Sequence, residues 1–369
     1  MQYRNVDKVY EHYNCAFTFK KEHRSLCKQK SKTPMNSKFE KEAEDDLINA
    51  RNGRDTSFFD LTSIDVLTDD DLQLIFDVAR RFRHFKTWKF GFNRGCSMIN
   101  MFFEGSTRTM ASFDLSGKQL SMDTSNISKG NSSAGKGESF LDTAETLDAY
   151  NPKILVVRCS EAGVPEMLSK HVRASIINAG DGWHEHPTQA LLDALTMLDY
   201  FETTDLSGKT VTIVGDIVHS RVFGSLVRIL KMLKADIRVA APETFLPAYV
   251  ENFGLETYYD VEEAISGAHV VYALRVQEER GSNGFIPSLR EYSKMFGVSR
   301  KRLDLADKDA ILMHPGPVRR DVDVHSALVA LDNQSRILQQ VENGMCIRKA
   351  LLWLLASRLD DKVKEVCPG

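Results

Sequence analysis

From Phe59 onward, apolar residues fall in two alternating rhythms, short buried-type runs and stretches at helical spacing. Leu72, Leu74, Ile75, Val78 and Phe82, behind a potential cap at Thr68, predict a helix from Asp69 to Phe85. Met98 to Phe103 reads as a strand that feeds a helix carrying Met110, Phe113 and Leu120, with Ser106 or Thr107 as its cap. Ile154 to Val157, ending in Arg158, and Ala174 to Ala179, ending in Gly180-Asp181-Gly182, are further strands. A helix from His186-Pro187 to about Tyr200 follows. A second unit begins at Lys209, with strands at Thr210 to Val214, Ile237 to Ala240, His269 to Leu274 and Ala310 to Met313, and a helix from Ser220 to Leu233. An apolar helix from Val341 to Leu359 closes the pattern.

Strands followed repeatedly by helices imply an α/β fold, a parallel sheet with ligands at the carboxyl ends of its strands. Two stretches break the rhythm. Residues 1–56 are polar and change from basic (Lys20, Lys21, Arg24, Lys28) to acidic (Glu40, Glu42, Glu44, Asp45), which reads as a solvated, partly disordered extension, with a partner-binding tail or a targeting segment as the alternatives for its basic half. Asp123 to Glu138, rich in Ser, Asn and Gly, reads as one long loop. Its Ser132, Ser133 and Lys136 suit either a solvated lid or a functional loop.

Composition narrows the function without naming it. The 369 residues, 42% of them hydrophobic, suffice for two cores. A net charge of −3 gives no support for a general nucleic-acid or membrane-surface role. Six scattered cysteines without a C-x-x-C pair signal neither a zinc site nor a disulfide framework, and a reducing compartment is the expectation. No apolar run reaches the roughly 18 residues of a membrane helix.

Candidate chemistry gathers at strand ends. Phe102 to Thr109 joins a strand to a helix whose first turn supplies backbone N–H groups, hydroxyls and the Arg108 guanidinium, which suits either an ordinary cap or a phosphate site. His184 and His186, two apart and without an evident third ligand, make a poor metal pair; His186 and Gln189 instead suit hydrogen bonding to a carbonyl compound. Gly215 and Gly224 do not complete a G-x-G-x-x-G dinucleotide loop. Arg158, Arg221, Arg275 and Gln277 add donors, and no activated nucleophile, paired carboxylates or metal cluster is apparent. Such a cleft suits direct transfer between two anionic substrates through positioning and oxyanion stabilisation.

These segments, Ser106-Thr-Arg-Thr, the Ser132-Ser-Ala-Gly-Lys136-Gly-Glu loop, Arg158, His186-Pro-Thr-Gln189, Gly215-Asp with Arg221, Arg275-Val-Gln277 and His314-Pro-Gly-Pro317, resemble in order the motifs of the aspartate/ornithine carbamoyltransferase family. Within it they resemble the aspartate-specific branch. The resemblance runs from about Phe59 to about Leu359 and implies two doubly wound domains, each a mainly parallel sheet flanked by helices, with a C-terminal helix packing back on the first. The expected division is an extension over 1–56, a carbamoyl phosphate-binding domain over 57–190, an aspartate-binding domain over 191–340 and the returning helix over 341–369.

By the same resemblance, Ser106, Thr107, Arg108 and Thr109 would hold the phosphate of carbamoyl phosphate. Thr109, Arg158 and His186 would polarise its carbonyl oxygen, and Gln189 would hold its amino group. Ser132 and Lys136 would reach a neighbouring subunit's site, and Lys136 would also meet aspartate. Arg221, Arg275 and Gln277 would bind aspartate, with the carbonyl groups of Gly316 and Pro317 accepting from substrate nitrogen. The two arginines suit two carboxylates and argue against ornithine, whose His-Cys-Leu-Pro turn is also replaced here by His-Pro-Gly-Pro.

The implied activity is carbamoyl transfer to L-aspartate in de novo pyrimidine synthesis, by a cytoplasmic homotrimer with shared active sites. No cofactor, metal, nucleic acid or membrane is implied, whereas regulatory or dihydroorotase-like partner subunits are compatible with it. Met110, Cys159 and Val318-Arg319-Arg320-Asp321 depart from common family residues, and none of them carries an assigned chemical role. The alternatives are a transferase for another acceptor such as ornithine, a non-catalytic scaffold of this family, and an unrelated phosphate- or nucleotide-binding module.

Overall fold

The computed structural model describes residues 37–85, 88–128, 138–248, 250–277, 286, 288–329 and 333–358. It separates into Met1–Glu44 and a body, Asp45–Gly369. Helix α1 (Ser37–Arg51) leads into the body, and α2 (Asp69–His84) follows. Thr68 caps α2 through a reciprocal box: its hydroxyl accepts from the Asp71 N–H, and the Asp71 carboxylate accepts from the Thr68 N–H. Burial works against that carboxylate's charge, but hydrogen bonds from Ser57 and Thr68 prevail and hold its pKa below the ordinary value.

The first sheet is built from β1 (Ser97–Phe102), β2 (Asp123–Ser128), β3 (Ile154–Cys159) and β4 (Ser175–Asp181), all parallel in the order β2-β1-β3-β4. Helices α3 (Thr107–Gln119), α4 (Phe140–Asp148) and α5 (Val164–Ser169) make the crossovers. Strands β1, β3 and β4 are buried on both faces, which is why apolar residues run consecutively in them, most fully over Ile154 to Val157. Long α6 (Pro187–Phe201) then leads to the second sheet and is buried through Leu198.

The second sheet comprises β5 (Thr210–Val214), β6 (Asp236–Ala240), β7 (Glu256–Tyr258), β8 (Val270–Ala273) and β9 (Ile311–Met313), again all parallel, in the order β7-β6-β5-β8-β9. Its helices include α7 (Arg221–Met232), α8 (Val261–Ile265), α9 (Leu289–Phe296), α10 (Arg300–Leu303) and α11 (Ser326–Val329). Finally α12 (Ile337–Ala356) packs on α2, α3 and α6, so the chain returns to the first sheet's helices. Each strand order reverses direction once, between β1 and β3 in the first sheet and between β5 and β8 in the second. Those reversals open crevices at the strands' carboxyl ends.

Three sequence expectations change. Asp123–Ser128, expected within a loop, is the edge strand β2; its exposed Asp, Ser and Asn residues hide it, because an edge facing solvent needs little apolar surface. The polar extension contains α1, and its last turn belongs to the body: Arg51 is buried, with its guanidinium donating to the Ser357 carbonyl at 2.6 Å and pairing with Asp55. Arg358 in turn donates to the Phe58 carbonyl at 2.5 Å and lies over the Phe59 ring. The closing helix starts four residues early, at Ile337.

Candidate active site

The carboxyl end of β3 and the loops after β1, β4, β5, β8 and β9 converge on one cavity of about 550 Å³. From the β1 side come Ser106, Thr107, Arg108 and Thr109. Ser106 occupies the N-cap position of α3 but its side chain makes no capping bond, so the hydroxyl and the first-turn N–H groups remain for a ligand. Strand β3 brings Arg158, whose Nη1 donates to the Ala179 carbonyl at 2.8 Å. The N-terminus of α6 brings His186 and Gln189.

From the second sheet come Arg221 at the start of α7, and Arg275 and Gln277 beyond β8. Gly316 and Pro317 follow β9. Thus every sequence-assigned residue within the described set lies at this cavity. Ser132 and Lys136 lie outside the described residues.

Glycine lets the charges approach. Gly180 has φ +122°, and a Cβ there would stand 2.7 Å from both Arg158 Nη1 and Arg221 Nη1. Gly316, at φ +65°, likewise sits against Arg108, where a Cβ would meet Nη1 at 2.1 Å. Desolvation and then the charge of Arg275 lower the Arg108 pKa. Guanidinium groups gathered this closely favour an anion between them.

Sequence reading gave no role to Glu104, Gly105, Ser220, Val222 and Pro315, which also line the cavity. Glu104 is the one carboxylate among the described lining residues, and it accepts from Arg221 Nη2 at 2.5 Å, linking the β1 loop to α7. Its place directly before Gly105-Ser106 was the available signal, since the residues after it were already assigned to an anion.

Buried acids hold the loops behind the cavity. Asp216 accepts from the backbone N–H groups of His219 (3.2 Å) and Gln277 (3.1 Å), tying the β5 and β8 loops together. Asp323 accepts from the Arg319 N–H at 2.8 Å and the Val276 N–H at 3.3 Å. Glu185 is fully buried and accepts from Ser63 Oγ (2.5 Å), the Ile64 N–H (3.0 Å) and Ser225 Oγ (2.9 Å). Ser225 Oγ also accepts the His186 N–H at 2.8 Å.

His184 turns to Asp181, Nδ1 to Oδ2 at 3.0 Å, and that hydrogen bond raises its pKa. The two histidines therefore serve different partners. Cys159 is buried, and desolvation pushes its thiol up to about 12, so it stays neutral and unreactive at physiological pH.

Residues 60–199 match the family model described as "Aspartate/ornithine carbamoyltransferase, carbamoyl-P binding domain", and residues 207–355 match "Aspartate/ornithine carbamoyltransferase, Asp/Orn binding domain". The aspartate carbamoyltransferase catalytic subunit of Maricaulis maris (strain MCS10) is 44% identical over 304 residues, covering 81% of this chain and 94% of the relative. That of Sorangium cellulosum (strain So ce56) is 48% identical over 292 residues, covering 79% and 89%.

Among solved structures, aspartate transcarbamoylase from Trypanosoma cruzi in complex with N-(phosphonacetyl)-L-aspartic acid aligns with a TM-score of 0.71 at 28% identity, over 80% of this chain and 94% of that one. Ornithine carbamoyltransferase from Thermus thermophilus aligns with a TM-score of 0.72 at 24% identity, over 82% and 100%, a likeness of fold. With both halves matched and close relatives covered almost end to end, this chain belongs to the aspartate/ornithine carbamoyltransferase family.

Proposed function

We propose that the protein transfers the carbamoyl group of carbamoyl phosphate to L-aspartate, giving N-carbamoyl-L-aspartate and phosphate. The observation that carries this reading is the cavity's charge. Arg108, Arg158, Arg221 and Arg275 meet around one space whose single described carboxylate is already bonded to Arg221. Two substrates bearing a phosphate and two carboxylates between them suit those guanidiniums; ornithine, with one carboxylate and a cationic side chain, suits them less well.

The first sheet's domain takes carbamoyl phosphate and the second takes aspartate. The phosphate sits on the first turn of α3, where free N–H groups, Ser106, Thr107, Thr109 and Arg108 supply hydrogen bonds. Thr109, Arg158 and His186 donate to the carbamoyl oxygen. Gln189 donates its amide nitrogen to Asp193, which leaves its oxygen to accept from the carbamoyl amino group. Arg221, Arg275 and Gln277 orient the two carboxylates of aspartate.

The unprotonated amine then attacks the carbamoyl carbon. A C–N bond forms, and the carbonyl π electrons move to oxygen, facing Arg158, His186 and Thr109. As the intermediate collapses, the C–O bond to phosphate breaks and the departing phosphate accepts the amine proton. Positioning and oxyanion stabilisation supply the acceleration, and each lost oxyanion donor costs on the order of 10²–10³ in turnover.

The reading extends to pyrimidine synthesis in the cytoplasm and to a homotrimer in which Ser132 and Lys136 serve a neighbour's site. The "catalytic subunit" name of the relatives supports an oligomer, and no described helix is long and apolar enough to cross a membrane. Carbamoyl aspartate formation, compared with L-aspartate and L-ornithine as acceptors and with Arg275→Ala as control, tests the activity. Turnover with aspartate alone, lost in the variant, is expected; turnover by neither acceptor overturns the reading.

A further inference from the structure

Asp193, one turn along α6 from Gln189, lies behind the cavity and is fully buried. Its Oδ1 accepts from Gln189 Nε2 at 3.0 Å and from Gln340 Nε2 at 2.7 Å, while Oδ2 accepts from the Tyr272 hydroxyl at 2.6 Å. Each donor belongs to a different supporting element of the site. Gln189 lines the cavity itself. Tyr272 is on β8, three residues before Arg275. Gln340, on α12, uses its own Oε1 to accept the His314 N–H at 3.0 Å, directly before the Pro315-Gly316-Pro317 turn.

A glutamine amide is nearly symmetric in shape, and its function depends on which end is oxygen. Burial raises Asp193 to about 7, and above that pH it is an ionised carboxylate, which accepts and cannot donate. Asp193 therefore forces both amides to turn nitrogen toward it: the Gln189 oxygen is left for a substrate N–H, and the Gln340 oxygen for His314. A reversed Gln189 would present a donor to the carbamoyl amino group, itself a donor.

We infer that Asp193 is a positioning residue, one buried carboxylate that sets the polarity of Gln189 and Gln340 and couples the carbamoyl half of the site to the β8 and β9 loops. This inference rests on the cavity being the carbamoyl-transfer site. Arg348, also buried on α12, lies within electrostatic reach of Asp193 and Arg108 and donates to Ser112 Oγ on α3 at 2.8 Å. Its charge favours the ionised form of Asp193.

Asp193→Asn keeps the shape but supplies an NH₂ group that can pair with a reversed glutamine. The test, at about pH 8 where Asp193 is ionised, compares native enzyme and variant for carbamoyl phosphate KM, kcat and the affinity for inorganic phosphate. The expected result is a carbamoyl phosphate KM raised at least tenfold with phosphate affinity within twofold, because the phosphate cradle on α3 does not depend on Gln189. Parallel loss of phosphate and carbamoyl phosphate binding would reduce Asp193 to a structural role, and unchanged kinetics would remove it from the site. Both overturn the inference.

Should Asp193→Asn fail to fold, Tyr272→Phe deletes the Oδ2 bond and keeps the Oδ1 bonds from Gln189 and Gln340. Aspartate KM should then rise severalfold with carbamoyl phosphate KM unchanged, and an unchanged aspartate KM overturns the coupling to β8. Absence of turnover by the folded native chain would instead count against the transferase reading.

Discussion

Gly180→Ala adds one methyl group against two of the site's guanidinium groups. The new Cβ would lie 2.7 Å from the guanidinium nitrogens of both Arg158 and Arg221, where ordinary contact begins at 3.4 Å. Both groups must move by several tenths of an ångström or more, and both have partners to lose: the Ala179 carbonyl for Arg158, and Glu104 for Arg221. A misplacement of about 1 Å can cost on the order of 10² in rate, and here the proposed oxyanion donor and the proposed carboxylate ligand are displaced together. A fall in kcat/KM of about 10²-fold or more is expected. The φ of +122° adds a backbone cost of about 1–3 kcal/mol, so stability should fall but the fold should persist. Steady-state kinetics with carbamoyl phosphate and L-aspartate, alongside urea unfolding, separate the two effects. A folded variant with kcat/KM within about threefold of native would refute the claim that Gly180 is required for the close approach of the two arginines.

Two further outcomes follow from the charges. Glu104→Gln replaces the partner of the buried Arg221 by a neutral amide; a hydrogen bond between charged groups contributes about 1.5–3 kcal/mol, so aspartate KM should rise roughly tenfold or more, while phosphate affinity should change little. Burial raises Asp193 to about 7, against the pull of Tyr272, Gln340, Gln189 and Arg348, so the native fold holds a proton that the unfolded chain releases near its ordinary value of 3.8. Native stability is therefore lost as pH rises from about 4 to 7, and Asp193→Asn escapes this loss. At about 1.4 kcal/mol per pH unit, urea unfolding should show the variant gaining about 2–3 kcal/mol on the native protein between pH 5 and pH 7.5, and a constant difference would refute the raised pKa.

Repeated apolar strands and their helices were legible because parallel strands buried on both faces cannot be polar, and the cap at Thr68 was legible because its chemistry is local. Strand β2 was not, since its edge position removes the apolar demand. In the site, Arg158, Arg221 and Arg275 were visible from their places at strand and helix ends. Glu104 was passed over because a carboxylate in a cationic loop reads as solvated until Arg221 is found beside it. Asp193 was missed for a tertiary reason. A carboxylate on a helix usually faces water, whereas α6 is enclosed by α7 and α12, and Gln189, Asp193 and Thr196 form a polar stripe along a mainly apolar helix.

The seam behind His186 also bears on how such proteins can be recombined. A Cβ on Gly224 would meet the His184 carbonyl oxygen at 2.2 Å, so α7 can lie this close only with glycine there. One residue later, Ser225 bridges Glu185 and the His186 backbone. The two halves are thus not interchangeable parts. A chimera that borrows residues 207–355 from a relative inherits its acceptor preference only if the borrowed helix also brings a glycine and a hydroxyl in these two places; otherwise the graft disturbs the histidine of the half that was left untouched.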